Sequence, residues 1–304
     1  AKVICNDKTG IPDKTLYQAI LFELGKKSDQ KITEDDLEEV YSIGGYFIEE
    51  NRNKKVKNLK GLEKFKKLYS LEIPINGLTS LKGIDKIPNL EQLTIRNGKL
   101  KNVNELKKLH KLTQLTIRNV TLKDWSGIGK LTELASLEIY KCNFKNFKQI
   151  SGLTNLEYLT INKTKLKKIK GIENLTKLHG LYASNNRLTN LSGIEKLTQL
   201  EDLDVSNNKL SKLPSLKKLK KFNLEFSTFI GNKISEKEFK KKLPSKVPKW
   251  WINNEVILQK TKKKLELNSK EEISGITNKI TGITEKKAKV VLMTLKGEKI
   301  KTVR

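Results

Sequence analysis

Apolar residues recur along the middle of the chain with a fixed period of 22 residues. The leucines that mark this period are, in chain order, Leu68, Leu90, Leu112, Leu134, Leu156, Leu178 and Leu200. From each leucine, further apolar residues follow at +3, +5, +10, +13 and +16. In the second copy these are Leu93, Ile95, Leu100, Val103 and Leu106. The period predicts a stack of small, similar structural units.

The spacing inside one copy predicts the structure of that unit. Positions +3 and +5 differ by two, so both side chains point to one face of a short strand. Positions +10, +13 and +16 are three apart, which favours a tight 3₁₀-like return segment. One copy cannot bury its apolar side alone, whereas stacked copies can. This pattern is typical of a leucine-rich-repeat horseshoe, an α/β solenoid with a parallel β-sheet on the concave face and 3₁₀-like returns on the convex face.

Position +8 is expected to point inward and to hydrogen-bond the turn of the neighbouring copy. Its residues are Asn76, Gly98, Val120, Cys142, Thr164, Asn186 and Asn208. Because only three of them are Asn, the ladder is predicted to be incomplete in the middle copies. Cys142 is interpreted as a ladder or core residue rather than as a nucleophile or metal ligand. Cys5 lies in a different part of the chain, so a disulfide framework is not indicated.

The period breaks at both ends of the chain. Residues 1–45 are predicted to form a helical N-terminal cap, residues 46–230 the repeats, and residues 231–304 a Lys-rich C-terminal cap or a small β domain. In the N-terminal segment, Leu16, Ile20 and Leu24 lie on one side of a helix that stops at Gly25, and residues 33–37 resemble the capped start of a second helix.

The C-terminal segment gives weaker signals. The last copy is shortened, with Leu219, Phe222 and Leu224 in place of the full pattern. We interpret the pair Trp250-Trp251 as a plug for the end of the core. The alternative is an aromatic stacking site among lysines. Weak alternation at 255–258 and 289–293 predicts short antiparallel strands, so that this region is β-rich.

Three segments carry a family resemblance. Residues 12–20, 32–37 and 61–63 resemble the helical cap and first repeat of the bacterial internalins, and the Leu-Thr pairs between copies are similar too. The resemblance covers roughly residues 11–226. It implies a secreted or cell-surface protein that binds a protein ligand, in several members a host surface protein, through its concave face. Because the chain starts at Ala1 without a signal peptide, we expect a mature or trimmed product. No apolar run approaches the roughly 20 residues that span a membrane.

Strand positions +2, +4 and +6 should face solvent on the concave side. Tyr and Arg are enriched in interface hot spots, and acidic side chains accompany them in these columns. The candidate binding residues are Arg96, Arg118, Tyr140, Tyr158, Tyr182, Glu138 and Asp204. We hypothesise that this Arg–Tyr stripe is the centre of a protein-binding surface. The alternative is an ordinary solvated sheet surface.

The charge of the chain points to a different region. The formal net charge is +28, and from Lys209 to Arg304 there are 26 Lys/Arg against 9 Asp/Glu, a net of +17. The concave columns hold two positive and four negative side chains, so the positive field belongs to the convex side and the C-terminal third. A basic patch is predicted there, formed by Lys241, Lys242, Lys246 and Lys249. This favours, as a second hypothesis, adhesion to an anionic polysaccharide or wall polymer. Nucleic acid is disfavoured, because no basic face is interleaved with stacking aromatics.

Catalysis has little support in the sequence. His110 and His179 are the only histidines, and neither has a nucleophile or carboxylate at a suggestive spacing. A glycine-rich phosphate loop is absent, and the recurring glycines follow the repeat period. We therefore predict a non-enzymatic binding protein with no cofactor and no metal.

Overall fold

The architecture is a curved parallel sheet with short 3₁₀ returns behind it. The computed structural model describes residues 1–44, 53–223, 226–260, 290–293 and 299–303. Within these residues an eight-stranded parallel sheet runs in unbroken sequence order. Its strands are β3 (Ser42–Ile43), β4 (Ser70–Pro74), β5 (Gln92–Leu100), β6 (Gln114–Leu122), β7 (Ser136–Tyr140), β8 (Tyr158–Asn162), β9 (Gly180–Tyr182) and β10 (Asp202–Asp204). The predicted leucine-rich-repeat horseshoe is confirmed.

The 22-residue period sets the register of the sheet. From β4 to β10, paired residues occupy the same position in successive copies, as in Leu71 with Leu93 and Leu137 with Leu159. The 3₁₀ returns recur once per copy, at Leu62–Lys64, Ile84–Lys86, Asn104–Lys108, Ser126–Lys130, Phe147–Ile150, Ile172–Asn174 and Ile194–Lys196. The periodic apolar side chains fill the space between sheet and returns as one continuous core. Each copy therefore buries its apolar side only against its neighbours.

The N-terminal end of the core is covered by α1 (Lys14–Glu23) and by a short antiparallel pair, β1 (Val3–Ile4) with β2 (Ile32–Thr33). Asp13 caps α1, because its Oδ1 accepts from the Leu16 backbone N–H at 2.8 Å. Its Oδ2 accepts from the Lys57 N–H at 2.6 Å, which ties the cap to the first repeat. The predicted cap helix and its end near Gly25 are confirmed.

The second predicted helix of the N-terminal segment is only one 3₁₀ turn, Asp35–Glu38. The Asp36 carboxylate accepts from both the backbone N–H and the hydroxyl of Thr33, and Lys26 pairs with the same carboxylate. These contacts hold the turn against Thr33 of β2 and against Lys26 in the connection that follows α1. The proposed boundary between cap and repeats, at 45/46, lies outside the described residues.

The inward ladder at position +8 has two forms. In the later copies, Asn186 and Asn208 are buried and bond the turn of the preceding copy, and Asn232 continues the column. In the earlier copies β5 and β6 run nine residues each and pair through Gly98 and Val120, so backbone hydrogen bonds replace the side-chain ladder. The prediction that Asn76 belongs to the ladder is wrong: Asn76 is exposed, because Ile75 takes the inward place.

The C-terminal end of the core is covered by two helices, α2 (Glu236–Lys242) and α3 (Lys249–Lys260). Phe229, Phe239 and Trp251 meet edge to face, with ring centroids 5.5–6.0 Å apart. Trp251 is buried and Trp250 half-buried, so Trp251 is the plug of the core.

One predicted strand in this region is wrong and the other is confirmed. Residues 255–258 belong to α3, where Trp251, Ile252 and Glu255 are buried at helical spacing. Further on, β11 (Val290–Met293) pairs with β12 (Lys299–Val303) in antiparallel fashion. Lys289 and Leu224 lie outside the described residues.

Candidate binding surface

The register aligns the candidate concave residues across neighbouring strands. Arg96 pairs with Arg118, Arg118 with Tyr140, and Tyr140 with Asn162. These four side chains therefore occupy one row across β5 to β8. Tyr158 and Tyr182 lie at positions +2 and +4 of β8 and β9, on the same exposed face.

The two arginines of the row are held by different carboxylates. Arg118 Nε donates to Glu138 Oε1 at 2.7 Å, on the next strand. Arg96 Nε lies 3.3 Å from Glu72 Oε1, on the preceding strand. The hydrogen bond to Glu138 raises the pKa of Arg118. Each contact joins two adjacent copies, so both guanidiniums are oriented by the stacking of repeats.

Tyr140 lies between two lysines that the sequence analysis did not select. Lys163 Nζ donates to the Tyr140 hydroxyl at 3.0 Å and lies 5.3 Å from the ring centroid. Lys141 Nζ lies 5.7 Å from the same centroid. The hydrogen bond from Lys163 lowers the pKa of the Tyr140 phenol. We refer to Arg118, Tyr140, Lys141 and Lys163 as the Tyr140 cluster.

The two lysines occupy position +7, where the backbone turns with positive φ. The φ values are 51° at Lys141 and 55° at Lys163, in the left-handed region that favours Gly and Asn. The equivalent residues of other copies, also left-handed, are Asn97, Asn119, Asn185 and Asn207. Comparing position +7 between copies would have revealed the exchange of Asn for Lys in the sequence.

The rings of Tyr158 and Tyr182 lie next to each other over Gly180. Tyr182 donates its hydroxyl to Asp202 Oδ2 at 3.0 Å, and burial raises its pKa to about 12. A Cβ on Gly180 would lie only 2.8 Å from Tyr182 Cε2 and 3.0 Å from Tyr158 Cδ1, so the two rings use the space that glycine leaves. Tyr158 also stacks on His179, with ring centroids 6.2 Å apart.

Asp204 belongs to the C-terminal end of the sheet rather than to the Tyr140 cluster. Its Oδ1 accepts from the Ser206 N–H at 2.9 Å, and its backbone bridges to Thr228. Thr228 in turn contacts the buried Glu255, whose pKa is raised to about 7, mainly by burial. Of the predicted residues, the structure thus joins Arg118, Glu138 and Tyr140 and leaves Asp204 apart, three strands away.

The predicted basic patch lies on the C-terminal helices. Lys241 and Lys242 are in α2, Lys249 begins α3, and Lys246 is in the connection, where its Nζ donates to the Lys220 carbonyl at 2.7 Å. Lys241, Lys246 and Lys249 are exposed and Lys242 is half-buried. The patch covers the end of the solenoid and is separate from the concave residues.

A cavity that the sequence did not indicate lies at the other end of the concave face. It holds about 370 Å³ between the N-terminal cap and the first strands. Its polar wall consists of Glu23, Ser42, Ser70, Glu72, Gln92, Thr94, Gln114 and Thr116. Burial raises the pKa of Glu23.

The remaining chemical candidates have structural explanations. Cys142 is buried, its Sγ donates to the carbonyls of Ile117 and Tyr140, and desolvation raises its pKa, as expected of a ladder residue. Across the described ranges, no three His, Cys, Asp or Glu side chains are grouped so that they could hold a metal ion. Nor is any helix in those ranges long and apolar enough to cross a bilayer.

The repeated strand–return unit and the exposed concave row define a leucine-rich-repeat protein. The family described as Leucine Rich repeats (2 copies) matches residues 176–218. No curated protein matches the chain at the sequence level.

Solved structures extend the likeness to the internalins of Listeria monocytogenes. Internalin C2 superposes with a TM-score of 0.59 at 24% identity, covering 72% of this chain and 93% of its own. Internalin F superposes with a TM-score of 0.52 at 24% sequence identity, and the match covers 74% of this chain and 71% of internalin F. The functional domain of internalin J superposes with a TM-score of 0.58 at 20% sequence identity, and the match covers 80% of this chain and 53% of that domain. The chain is therefore internalin-like in fold, as its cap and period predicted.

Proposed function

We propose that the chain is a non-enzymatic binding protein that recognises a protein partner through its concave face. The observation that carries this proposal is the way the side chains of the concave face are held. Three contacts, from Arg118 to Glu138, from Lys163 to Tyr140 and from Tyr182 to Asp202, each join adjacent copies. Side chains that are ordered before binding lose less conformational entropy on binding. Tyr and Arg are also the side chains that most often dominate interface energies.

The compartment and the partner belong to the same proposal. The internalin-like fold supports a secreted or bacterial cell-surface protein, with a host surface protein as the expected partner class. Adhesion and virulence are the roles that follow from this setting. A pull-down from host-cell surface extracts and bacterial wall extracts would identify the partner.

Paired alanine substitutions test the binding surface. Tyr140→Ala with Tyr158→Ala removes the most exposed rings of the stripe, and we expect partner affinity to fall at least tenfold, since hot-spot truncations cost about 2 kcal/mol or more. Tyr69→Ala is the matched control, because Tyr69 is similarly exposed but lies at position +1 near the other end of the sheet. Unchanged affinity in the double variant would remove the basis of the proposal.

A second candidate is adhesion to an anionic wall or cell-surface polymer through the C-terminal lysines. It is favoured by the exposure of Lys241, Lys246 and Lys249 together at one end of the solenoid. Salt separates the two candidates, because polyanion binding weakens steeply with ionic strength whereas docking on the concave face weakens much less. Substituting these three lysines with Gln should abolish retention on heparin or teichoic acid at moderate salt. Unchanged retention would exclude this candidate.

A further inference from the structure

The positive charges beside Tyr140 that have no carboxylate partner among the described residues lie at turn position +7, directly after the strands. Four copies place Asn there in the left-handed conformation, and two consecutive copies place Lys141 and Lys163. The left-handed conformation is strained for side chains other than those of Gly, Asn and Asp. Lysine carries this strain at position +7 of two adjacent copies, and again at Lys165, and the two lysines at position +7 converge on the ring of Tyr140.

The hydrogen-bond donors of the Tyr140 cluster are only partly occupied by contacts within the protein. The Tyr140 hydroxyl accepts from Lys163, so its own hydrogen can be donated elsewhere. Lys163 uses one of the three N–H donors of its ammonium in that bond. Neither Lys141 nor Lys163 has a carboxylate partner among the described residues, whereas Lys67, Lys108 and Lys240 pair with Glu38, Asp85 and Glu236.

The charge balance of the cluster is positive. Arg118 is offset by Glu138, and the two ammonium groups are not offset. The Lys141 ammonium lies over the aromatic face of Tyr140, which attracts a cation without neutralising it. An anionic group placed over the Tyr140 hydroxyl would therefore meet two ammonium groups and a phenol donor together.

We propose that the Tyr140 cluster is a subsite for a carboxylate, namely an Asp or Glu side chain of an acidic segment in the protein partner. This inference rests on the proposed concave-face function and adds the chemistry of what is recognised there. The carboxylate would accept from the Tyr140 hydroxyl and from the ammonium groups of Lys141 and Lys163. Charge-assisted hydrogen bonds of this kind are about twice as strong as neutral ones.

The test uses a short Glu-rich peptide, a Gln-rich peptide of the same length, and the full chain with ¹³C-labelled tyrosine rings. The resonance of Tyr140 is identified by its loss in Tyr140→Phe. We expect the Glu-rich peptide to shift it saturably and the Gln-rich peptide to leave it in place. The buried ring of Tyr17 serves as an internal reference that should not move.

The variants Lys141→Asn and Lys163→Asn restore the residue that the other copies use at the same backbone conformation, so the fold should be kept. Combined, they should weaken the peptide affinity read at Tyr140 at least tenfold, because each substitution removes a charge-assisted hydrogen bond to the carboxylate. A control that removes the same charge elsewhere, Lys241→Asn with Lys249→Asn, should change that affinity less than twofold. Equal losses in both double variants, or no shift at Tyr140, would overturn the subsite.

Further arms of the experiment separate the subsite from other outcomes. Tighter binding of a phosphotyrosine peptide than of the Glu-rich peptide would overturn the assignment to a carboxylate. If the partner binds through the concave tyrosines but the peptide leaves Tyr140 unshifted, the subsite fails while the proposed function stands. If the peptide shifts Tyr140 but partner affinity is unchanged by the tyrosine substitutions, the proposed function fails while the subsite stands.

Discussion

At the scale of single residues, the turn after each strand decides both stability and chemistry. Position +7 requires positive φ, and Asn meets that requirement at little cost because its short polar side chain bonds locally. Lys141 and Lys163 meet it less well and point a charge at Tyr140 instead. These copies therefore give up some folding free energy at the place where two ammonium groups come to the concave face.

We expect this difference to appear in stability measurements. Lys141→Asn should leave the free energy of unfolding unchanged or raise it by up to about 0.5 kcal/mol, because relief of about 1 kcal/mol of backbone strain is partly offset by the lost cation–π contact. The reverse change, Asn185→Lys, should lower it by about 1 kcal/mol. Urea denaturation measures both, and a clear loss in Lys141→Asn would contradict the strain argument.

Position +8 supplies a second residue-scale prediction. Asn186 Oδ1 accepts from the backbone N–H groups of Thr164 and Leu166, and its Nδ2 donates to the Ile161 carbonyl. Asn186→Ala should lower the free energy of unfolding by about 2–3 kcal/mol, because buried backbone groups lose their partners. Asn76→Ala, at the equivalent but exposed position, should change it by less than about 0.5 kcal/mol. Similar losses in both variants would contradict the ladder assignment.

At the scale of elements, the ends of the solenoid are closed by unlike structures. The N-terminal end is covered by α1, which Asp13 bonds to the first repeat. The C-terminal end is covered by α2 and α3, which bring Phe239 and Trp251 against Phe229. A stack of repeats exposes core at each end, so the stability of the whole depends on these caps.

The C-terminal cap can be tested with two neighbouring residues. Trp251→Ala should lower the free energy of unfolding by about 3–5 kcal/mol, since it leaves a cavity beside the rings of Phe229 and Phe239. Trp250→Ala removes an equally large but half-buried ring and should cost about 1 kcal/mol. Thermal denaturation of both variants would check this. A larger loss of stability in Trp250→Ala would mean that Trp250, and not Trp251, closes the end of the core.

The same cap should make stability depend on pH. Glu255 in α3 accepts from the Phe229 backbone N–H at 2.9 Å and is buried, so its pKa rises from 4.5 to about 7. The folded state then holds a proton that the unfolded chain releases above its own pKa. The contribution of Glu255 to stability is therefore full below pH 4.5 and is lost as pH rises toward 7, by on the order of 3 kcal/mol.

The variant Glu255→Gln isolates this dependence. Its neutral amide keeps the shape of the protonated acid, so we expect the change in free energy of unfolding between pH 4.5 and pH 7 to shrink relative to the parent. Urea titrations at several pH values would measure it. An unchanged pH dependence would assign the effect to other groups.

At the scale of the whole molecule, most of the positive charge lies apart from the proposed binding surface. The net charge of +28 is concentrated in the C-terminal third, while most charged side chains of the concave columns pair with one another. Self-repulsion of a compact, highly charged molecule destabilises the folded state. The net charge therefore indicates how soluble and how stable the protein is, but not which partner it binds.

Salt should stabilise the fold for this reason. Between about 0.01 M and 0.15 M salt the Debye length falls from about 30 Å to about 8 Å, so screening should raise Tm by a few degrees. The rise should be smaller when Lys241, Lys246 and Lys249 are replaced by Gln. A Tm that falls with added salt would mean that attractive ion pairs outweigh the repulsion.

The sequence by itself determined the repeat, the face of each strand and the column of each candidate residue, because a 22-residue period leaves one register in which every apolar side is buried. It placed Arg118, Tyr140 and Cys142 correctly for this reason. Only the tertiary structure decided the rest. The predicted strand at 255–258 lies in a helix because Trp251, Ile252 and Glu255 are buried at helical spacing, with Trp251 against Phe229 and Phe239. Lys141 and Lys163 joined Tyr140 because the backbone of neighbouring copies turns them toward it, and contacts between copies are set by stacking rather than by the pattern within one copy.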